Sequence, residues 1–279
     1  MISIRKEQAH QEAERIFRTF LPQNGLAVRK EQLSLCHVML ESLLQNQTAL
    51  CDAGVGIGKT YAYLTACVLL KKFVSVNTQP VVISTSSVAL QKAIVGEYLP
   101  FLSRVLLENY VIEKPIRAII RKGKERFVCD ERLDQRLKAI KEKKKNEEQL
   151  EVLFSLQTYY DLDDVPGLSG FDRRQVYVPK VCPQNCLQRN ICRYHQYLKG
   201  AQDAEIFFQI CNHNYLMADA SHRQQEIHPL LNEYQALVID EAHKLPDAAR
   251  QMYGQNLSME DFKEICTLLK KEKCFSAAQ

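Results

Sequence analysis

The chain has no long apolar run, no leader-like start and little net charge. Its longest apolar stretch, Tyr61 to Leu70, is half of the roughly 20 residues a membrane helix needs. Met1 to Gln8 is polar and lacks the apolar segment of a secretory signal, so a cytoplasmic protein with no membrane partner is expected. A net charge of +4 excludes a polycationic protein. No repeat and no long low-complexity segment is found, which excludes a solenoid. Hydrophobic residues at 46% and charged residues at 25% over 279 residues are ordinary for a globular protein able to bury a sizeable core.

What is present is unevenly placed. Between Arg117 and Lys145, twelve Lys and Arg stand against five Asp and Glu, leaving the remainder of the chain mildly acidic. Such a block is either a solvated helix face or a phosphate-contacting surface. The chain also has ten cysteines, which a reducing compartment does not pair as disulfides. Three of them, Cys182, Cys186 and Cys192, crowd into eleven residues, a density that points to a metal.

Periodicity predicts helices over 4–20, 30–45, 59–72 and 87–98. It predicts buried strands at 49–51, 80–85, 116–120, 204–210 and 236–240. Strands alternating with helices indicate a doubly wound α/β domain. The alternation fails from about 122 to 199, where a basic helical stretch and the cysteines suggest an inserted subdomain.

Ala53 to Thr60 reads Ala-Gly-Val-Gly-Ile-Gly-Lys-Thr. Gly54, Gly56 and Gly58, between a strand and a helix, let backbone N–H groups cradle phosphate oxygens. Lys59 is placed to reach the β- and γ-phosphates, and the Thr60 hydroxyl to hold Mg²⁺. The helix start adds its positive dipole end. Downstream, Val238 to His243 reads Val-Ile-Asp-Glu-Ala-His. There Asp240 is placed to hold Mg²⁺ and Glu241 to orient or deprotonate a water. Together the two motifs specify an NTPase, and the DEAH form a nucleic-acid-stimulated one.

Cys129 and the trio are separated by fifty-two, three and five residues. These intervals do not fit a two-knuckle zinc module. They are compatible with four thiolates converging on a [4Fe–4S] cubane, and spacing alone leaves zinc and iron–sulfur both open. Cys51, Cys67 and Cys211 read as small core residues, Cys211 being also a rival ligand. Cys36, Cys266 and Cys274 carry no motif.

The motifs keep a fixed order. Arg29 and Gln32 come first, then Ala53 to Thr60, Ile83 to Thr85, and Gly123-Lys124 with Phe127 and Cys129. The cysteine trio, Cys211 to Leu216 and Asp240 to His243 follow. In this order the chain resembles the first motor domain of the XPD/DinG iron–sulfur helicases of superfamily 2, over about residues 25 to 250. The resemblance implies a RecA-like P-loop domain (25–121 and 200–250), preceded by a helix (1–24). It implies an inserted [4Fe–4S] subdomain (122–199) held by Cys129, Cys182, Cys186 and Cys192, and the start of an arch-like helical region (251–279). It implies ATP-driven 5′-to-3′ movement on single-stranded or forked DNA. Arg29 and Gln32 would read the adenine, Ser84 and Thr85 would contact the DNA backbone, and His243 would couple the nucleotide to it.

Val55 and Ile57 stand where relatives carry Thr, and Asp52 where Glu is commoner; no backbone donor is lost. Thirty-six residues follow His243, whereas the family has a second RecA-like domain there, with an arginine finger worth about 10³–10⁵ in rate. The 279 residues alone are therefore expected to bind nucleotide weakly and not to unwind DNA unless a second polypeptide completes the motor. The alternative is a non-motor, single-stranded-DNA-binding iron–sulfur module that competes with or regulates a full helicase.

Overall fold

The computed structural model describes residues 2–74, 78–142, 147–183, 185–186 and 188–254, with isolated positions 259, 262, 265 and 266. Helix α1 (Ile2–Arg15) runs through a widened turn (Ile16–Phe20) into the short α2 (Leu21–Gln23). Ala9, Ala13, Ile16, Phe17 and Phe20 are buried, the face that the 3.6-residue period defines. Helices α3 (Lys30–Leu44) and α4 (Lys59–Phe73) follow. Every residue of α4 from Ala62 to Leu70 is buried, as in a helix enclosed on all sides.

Strand β1 (Val81–Thr85) leads into α5 (Val88–Ala93), a second widened turn (Ile94–Tyr98) and α6 (Leu99–Glu108). Both widened turns come just before a proline near the start of the next helical segment, Pro22 and Pro100. Proline removes the N–H that would close the preceding turn, and a single wide turn absorbs the defect. The helix expected over 87–98 therefore continues past the irregularity to Glu108.

After β2 (Arg117–Ile120) the chain leaves the sheet through α7 (Asp130–Glu142), α8 (Glu147–Ser155), α9 (Gly170–Val176) and α10 (Arg193–Ala201). It returns as β3 (Ile206–Asn212), α11 (His213–Gln224), β4 (Ala236–Ile239) and α12 (Leu245–Tyr253). The strands align in the order β2-β3-β1-β4, and every pairing is parallel. Alternate residues serve opposite faces. Val81, Ile83, Phe208 and Ile210 join the large core with α1, α3, α4 and α6, while Val82 and Cys211 face Leu216 and Leu231. Helices α7, α8 and α9 build a separate apolar cluster including Leu133, Leu137, Leu153 and Val176.

One expected strand is absent. Ala49 to Cys51 has no ladder partner, Leu50 is 95% exposed and Cys51 is only partly buried. Three apolar residues are too few to fix a strand without a neighbour to bond, and the described sheet supplies none. No helix of the described residues is long and apolar enough to cross a membrane. The region expected at 251–279 lies largely outside the described residues.

Candidate functional site

The glycine-rich loop sits where α4 begins. Gly56 and Gly58 have φ of +82° and +88°, a region in which a Cβ is strained. At Gly58 a Cβ would also overlap the Gln32 amide. Gly54 differs from the other two. Its φ lies outside the left-handed region, and a Cβ there would meet only the Ile57 side chain, at an ordinary 3.5 Å. Positive φ thus requires glycine at Gly56 and Gly58, while neither φ nor crowding requires it at Gly54.

The Gln32 amide donates to the Gly58 carbonyl at 2.8 Å, and the Arg29 guanidinium donates to the Gly56 carbonyl. Both residues expected to read an adenine therefore brace the loop itself. Val55 stands fully exposed at its tip.

Lys59, on the first turn of α4, pairs its Nζ with Glu241 Oε1 at 2.8 Å. The bond raises the lysine's pKa and lowers the carboxyl's, so each holds the other charged. Glu241 reaches this position because its backbone is left-handed, with φ of +56°. For a residue with a Cβ such a conformation costs on the order of 1–3 kcal/mol. Asp240, at the end of β4, is buried, and its N–H donates to the Ser84 carbonyl at 2.8 Å. Burial and then the Glu241 charge push the Asp240 carboxyl above its usual range. A cation placed beside it would reverse that penalty. Tyr63 lies one turn beyond Lys59 on α4, and its hydroxyl comes within 3.5 Å of Asp240 Oδ2. Its spacing of four residues from Lys59 was the available signal, but within the apolar run of this helix it reads as core.

Ser84 and Thr85 are fully buried. Ser84 Oγ lies 2.8 Å from His213 Nδ1, and Thr85 Oγ1 donates to the Ser87 carbonyl. Both hydroxyls are thus engaged inside the fold, and the turn beyond, Ser86 and Ser87, is partly exposed. His213 is a functional candidate that motif reading did not assign. It is buried against the backbone of Asp240 and Glu241, and burial lowers its pKa and favours the neutral ring. His213 thus sits between Ser84 and the backbone of the DEAH turn, bonded to the first, with its Nε2 buried and without a hydrogen-bond partner among the described residues. His243 is exposed, 3.6 Å from Glu241.

Cys129, Cys182, Cys186 and Cys192 all line one cleft of about 650 Å³. Cys129 and Cys192 also rest on the cluster of Phe127, Tyr194 and Tyr197. Burial raises the Cys129 thiol, and the neighbouring Cys192 and Cys186 add to it. The donor set and its shared wall fit a thiolate-bound cluster in kind. Among the described residues, however, no three acid, histidine or cysteine side chains converge to ligating distance. Cys211 is buried in the sheet with Val82 and Leu216, its thiol pushed up to about 12 by burial, and it takes no place on that wall.

No family model matches the chain. The ATP-dependent DNA helicase YoaA of Escherichia coli is 29% identical over 249 residues, which are 84% of this chain and 36% of that protein. Its Haemophilus influenzae counterpart is 25% identical over 250 residues, 87% of this chain and 37% of that one. The 3′-5′ exonuclease DinG of Staphylococcus saprophyticus is 28% identical over 245 residues, 86% of this chain and 25% of that one. The chain is a distant homologue of the YoaA and DinG proteins. It spans about a quarter to just over a third of the length of these relatives.

Proposed function

We propose that this chain is the ATP-binding first motor domain of a DinG-like, 5′-to-3′ DNA helicase, with residues 122–199 forming an inserted iron–sulfur subdomain. The observation that carries the reading is the meeting of Lys59, Asp240 and Glu241 beside a loop in which Gly56 and Gly58 adopt positive φ. Bound Mg²⁺ would supply charge neutralisation between the phosphates and the carboxylate of Asp240, with Thr60 as its second protein ligand. Lys59 is the cation available to a phosphate group. Its departure from Glu241 would free that carboxylate to orient a water and accept its proton. Bracing of the loop by Arg29 and Gln32 supports a preformed cradle. His213 supports a coupling route between the nucleotide end of β4 and the turn after β1.

Nucleotide titration tests the first half of the reading. Lys59→Ala is expected to weaken ATP binding by at least about 10-fold, the loss of one charge-assisted contact. Unchanged affinity would sink the assignment of the loop. The 279 residues alone are expected not to unwind a forked duplex. Anaerobic purification followed by iron and sulfide analysis tests the second half: about four irons per chain are expected for a cubane, and loss of the colour in Cys186→Ser. A colourless protein with one zinc would refute it.

A further inference from the structure

His213 is the first residue of α11 and sits one position beyond the β1–β3 ladder, whose last pair is Thr85 with Asn212. The Asn212 side chain caps the helix by accepting the Tyr215 N–H at 2.8 Å, so the backbone that carries the imidazole is held from both sides. Ser84 makes two contacts here. Its hydroxyl lies 2.8 Å from His213 Nδ1, and its carbonyl accepts the Asp240 N–H at 2.8 Å. One residue therefore sets both the ring and the DEAH turn in front of it.

One bond in this arrangement is unmade. His213 is 3% exposed, and its Nε2 has no hydrogen-bond partner among the described residues. A buried polar atom left unpaired is costly and calls for a reason, and a Phe would fill the space without that cost. Burial favours the neutral ring, in which one nitrogen donates and the other accepts. The Ser84 hydroxyl is able to donate to Nδ1, which leaves the hydrogen on Nε2. The backbone of Asp240 and Glu241 lies against the ring and acts to raise its pKa, as carbonyl oxygens do and N–H groups do not. A donor thus faces acceptors with no aligned bond between them.

The turn itself is held from its other side. Glu241 has a left-handed backbone, and its carboxylate is tied to Lys59 at 2.8 Å. When Lys59 turns to a phosphate, that tie is lost. The turn then keeps two bonds, Asp240 N–H to the Ser84 carbonyl and Lys244 N–H to the Glu241 carbonyl at 2.9 Å. The donor already buried against its backbone is the His213 ring.

We propose that His213 is a positioning residue for the DEAH turn, its Nε2–H taking a backbone carbonyl of Asp240 or Glu241 once Lys59 has left Glu241. The proposal rests on the nucleotide-binding reading above and adds to it the group that replaces the lysine's hold on the turn.

NMR of the full chain labelled with ¹⁵N-histidine tests it first without nucleotide. The His213 ring, assigned as the signal that His213→Asn and His213→Gln both lose, is expected to carry its hydrogen on Nε2. A hydrogen on Nδ1 overturns the proposal. Adding ATP with Mg²⁺ should move the Nε2–H resonance downfield, as a newly formed hydrogen bond does. A resonance that stays in place while ATP binds overturns it and assigns the nitrogen to a buried water. Affinity for ATP with Mg²⁺ then separates positioning from packing, because an Asn amide overlays Nδ1 and a Gln amide overlays Nε2. His213→Asn, which keeps a group for Ser84, is expected to bind about 5-fold more weakly, the worth of one neutral hydrogen bond. His213→Gln should recover most of that loss. Wild-type affinity in His213→Asn, or an equal loss in both variants, would overturn the proposal. Should either variant melt early, the two NMR readouts on the wild type decide. Absence of ATP binding by the wild type would instead remove the nucleotide reading, and this proposal with it.

Discussion

Asp240 and Glu241 are neighbours in sequence with opposite electrostatics. Glu241 is partly open to solvent and bonded to Lys59, which lowers its pKa. Asp240 is buried and faces that same negative charge, which together raise its pKa. A carboxyl whose folded pKa is raised stabilises the fold below its unfolded pKa, and the contribution disappears as pH rises through the folded value. At neutral pH ionised Asp240 is therefore a cost that the site carries until a cation arrives. Asp240→Asn is expected to raise Tm, by about 2–4 °C for each kcal/mol recovered, and, on the proposed reading, to weaken Mg²⁺-dependent nucleotide binding. A lower Tm in calorimetry near pH 7 would contradict the account. That Lys59 belongs with Asp240 and Glu241 was legible from motif spacing. The bracing by Arg29 and Gln32, and the burial of Ser84, were not, because both depend on where separate helices and strands come to rest. Nor does spacing separate Gly54 from Gly56 and Gly58, since the sign of φ is set by the path the loop takes.

At the scale of elements, the sheet follows its sequence closely except at the lead-in to the loop. Strands β1 and β3 carry apolar residues on both faces, and each has two parallel neighbours. Their positions were readable because a strand covered on both sides needs a continuous apolar run. Ala49 to Cys51 has the same local pattern without the same surroundings. Leu50→Ser is accordingly expected to change the unfolding free energy by no more than about 0.5 kcal/mol, as at an exposed site. Ile83→Ala should cost about 2–5 kcal/mol. Denaturant melts of the two variants check this, and a large loss at Leu50 would mean that the segment is packed as a strand after all. The two widened turns show the converse case, in which a helix reads as interrupted but continues because one wide turn accommodates the proline.

At the scale of the whole molecule, the sheet core and the α7–α9 cluster are joined by buried charge. Lys122, just after β2, is held between Asp161 and Asp163, and Asp163 also binds Arg173 at 2.6 Å and Arg126 at 3.2 Å. Lys92 of α5 reaches across to Asp164. Burial pushes the Asp163 carboxyl up, but the bond to Arg173 and the charges of Lys122 and Arg126 outweigh it and hold it below its usual range. Its stabilisation is present above the unfolded pKa and is lost only as pH falls through the lower, folded value. Asp163→Asn should cost about 3 kcal/mol near neutral pH, the scale for breaking a buried pair. The deficit should persist down through about pH 4 and close only below it. Melts across that range measure it, and a deficit that vanished by pH 6 would point to another group. Part of the basic block at Arg117 to Lys145 is committed in this way. Lys122, Arg126 and Arg136 each have an acidic partner inside the fold, so its charge count overstated the surface free for DNA.

The sequence by itself determined the glycine-rich turn, the meeting of Lys59 with the DEAH turn and the strands of the parallel sheet, because each depends on residue type at short spacing. Tertiary structure decided which of those residues face a ligand and which face one another. It turned Ser84 and Thr85 inward, brought His213 beneath the DEAH turn and set Cys211 into the sheet. Spacing along one chain fixes the face of an element, whereas burial and pairing depend on what a distant segment brings against that face.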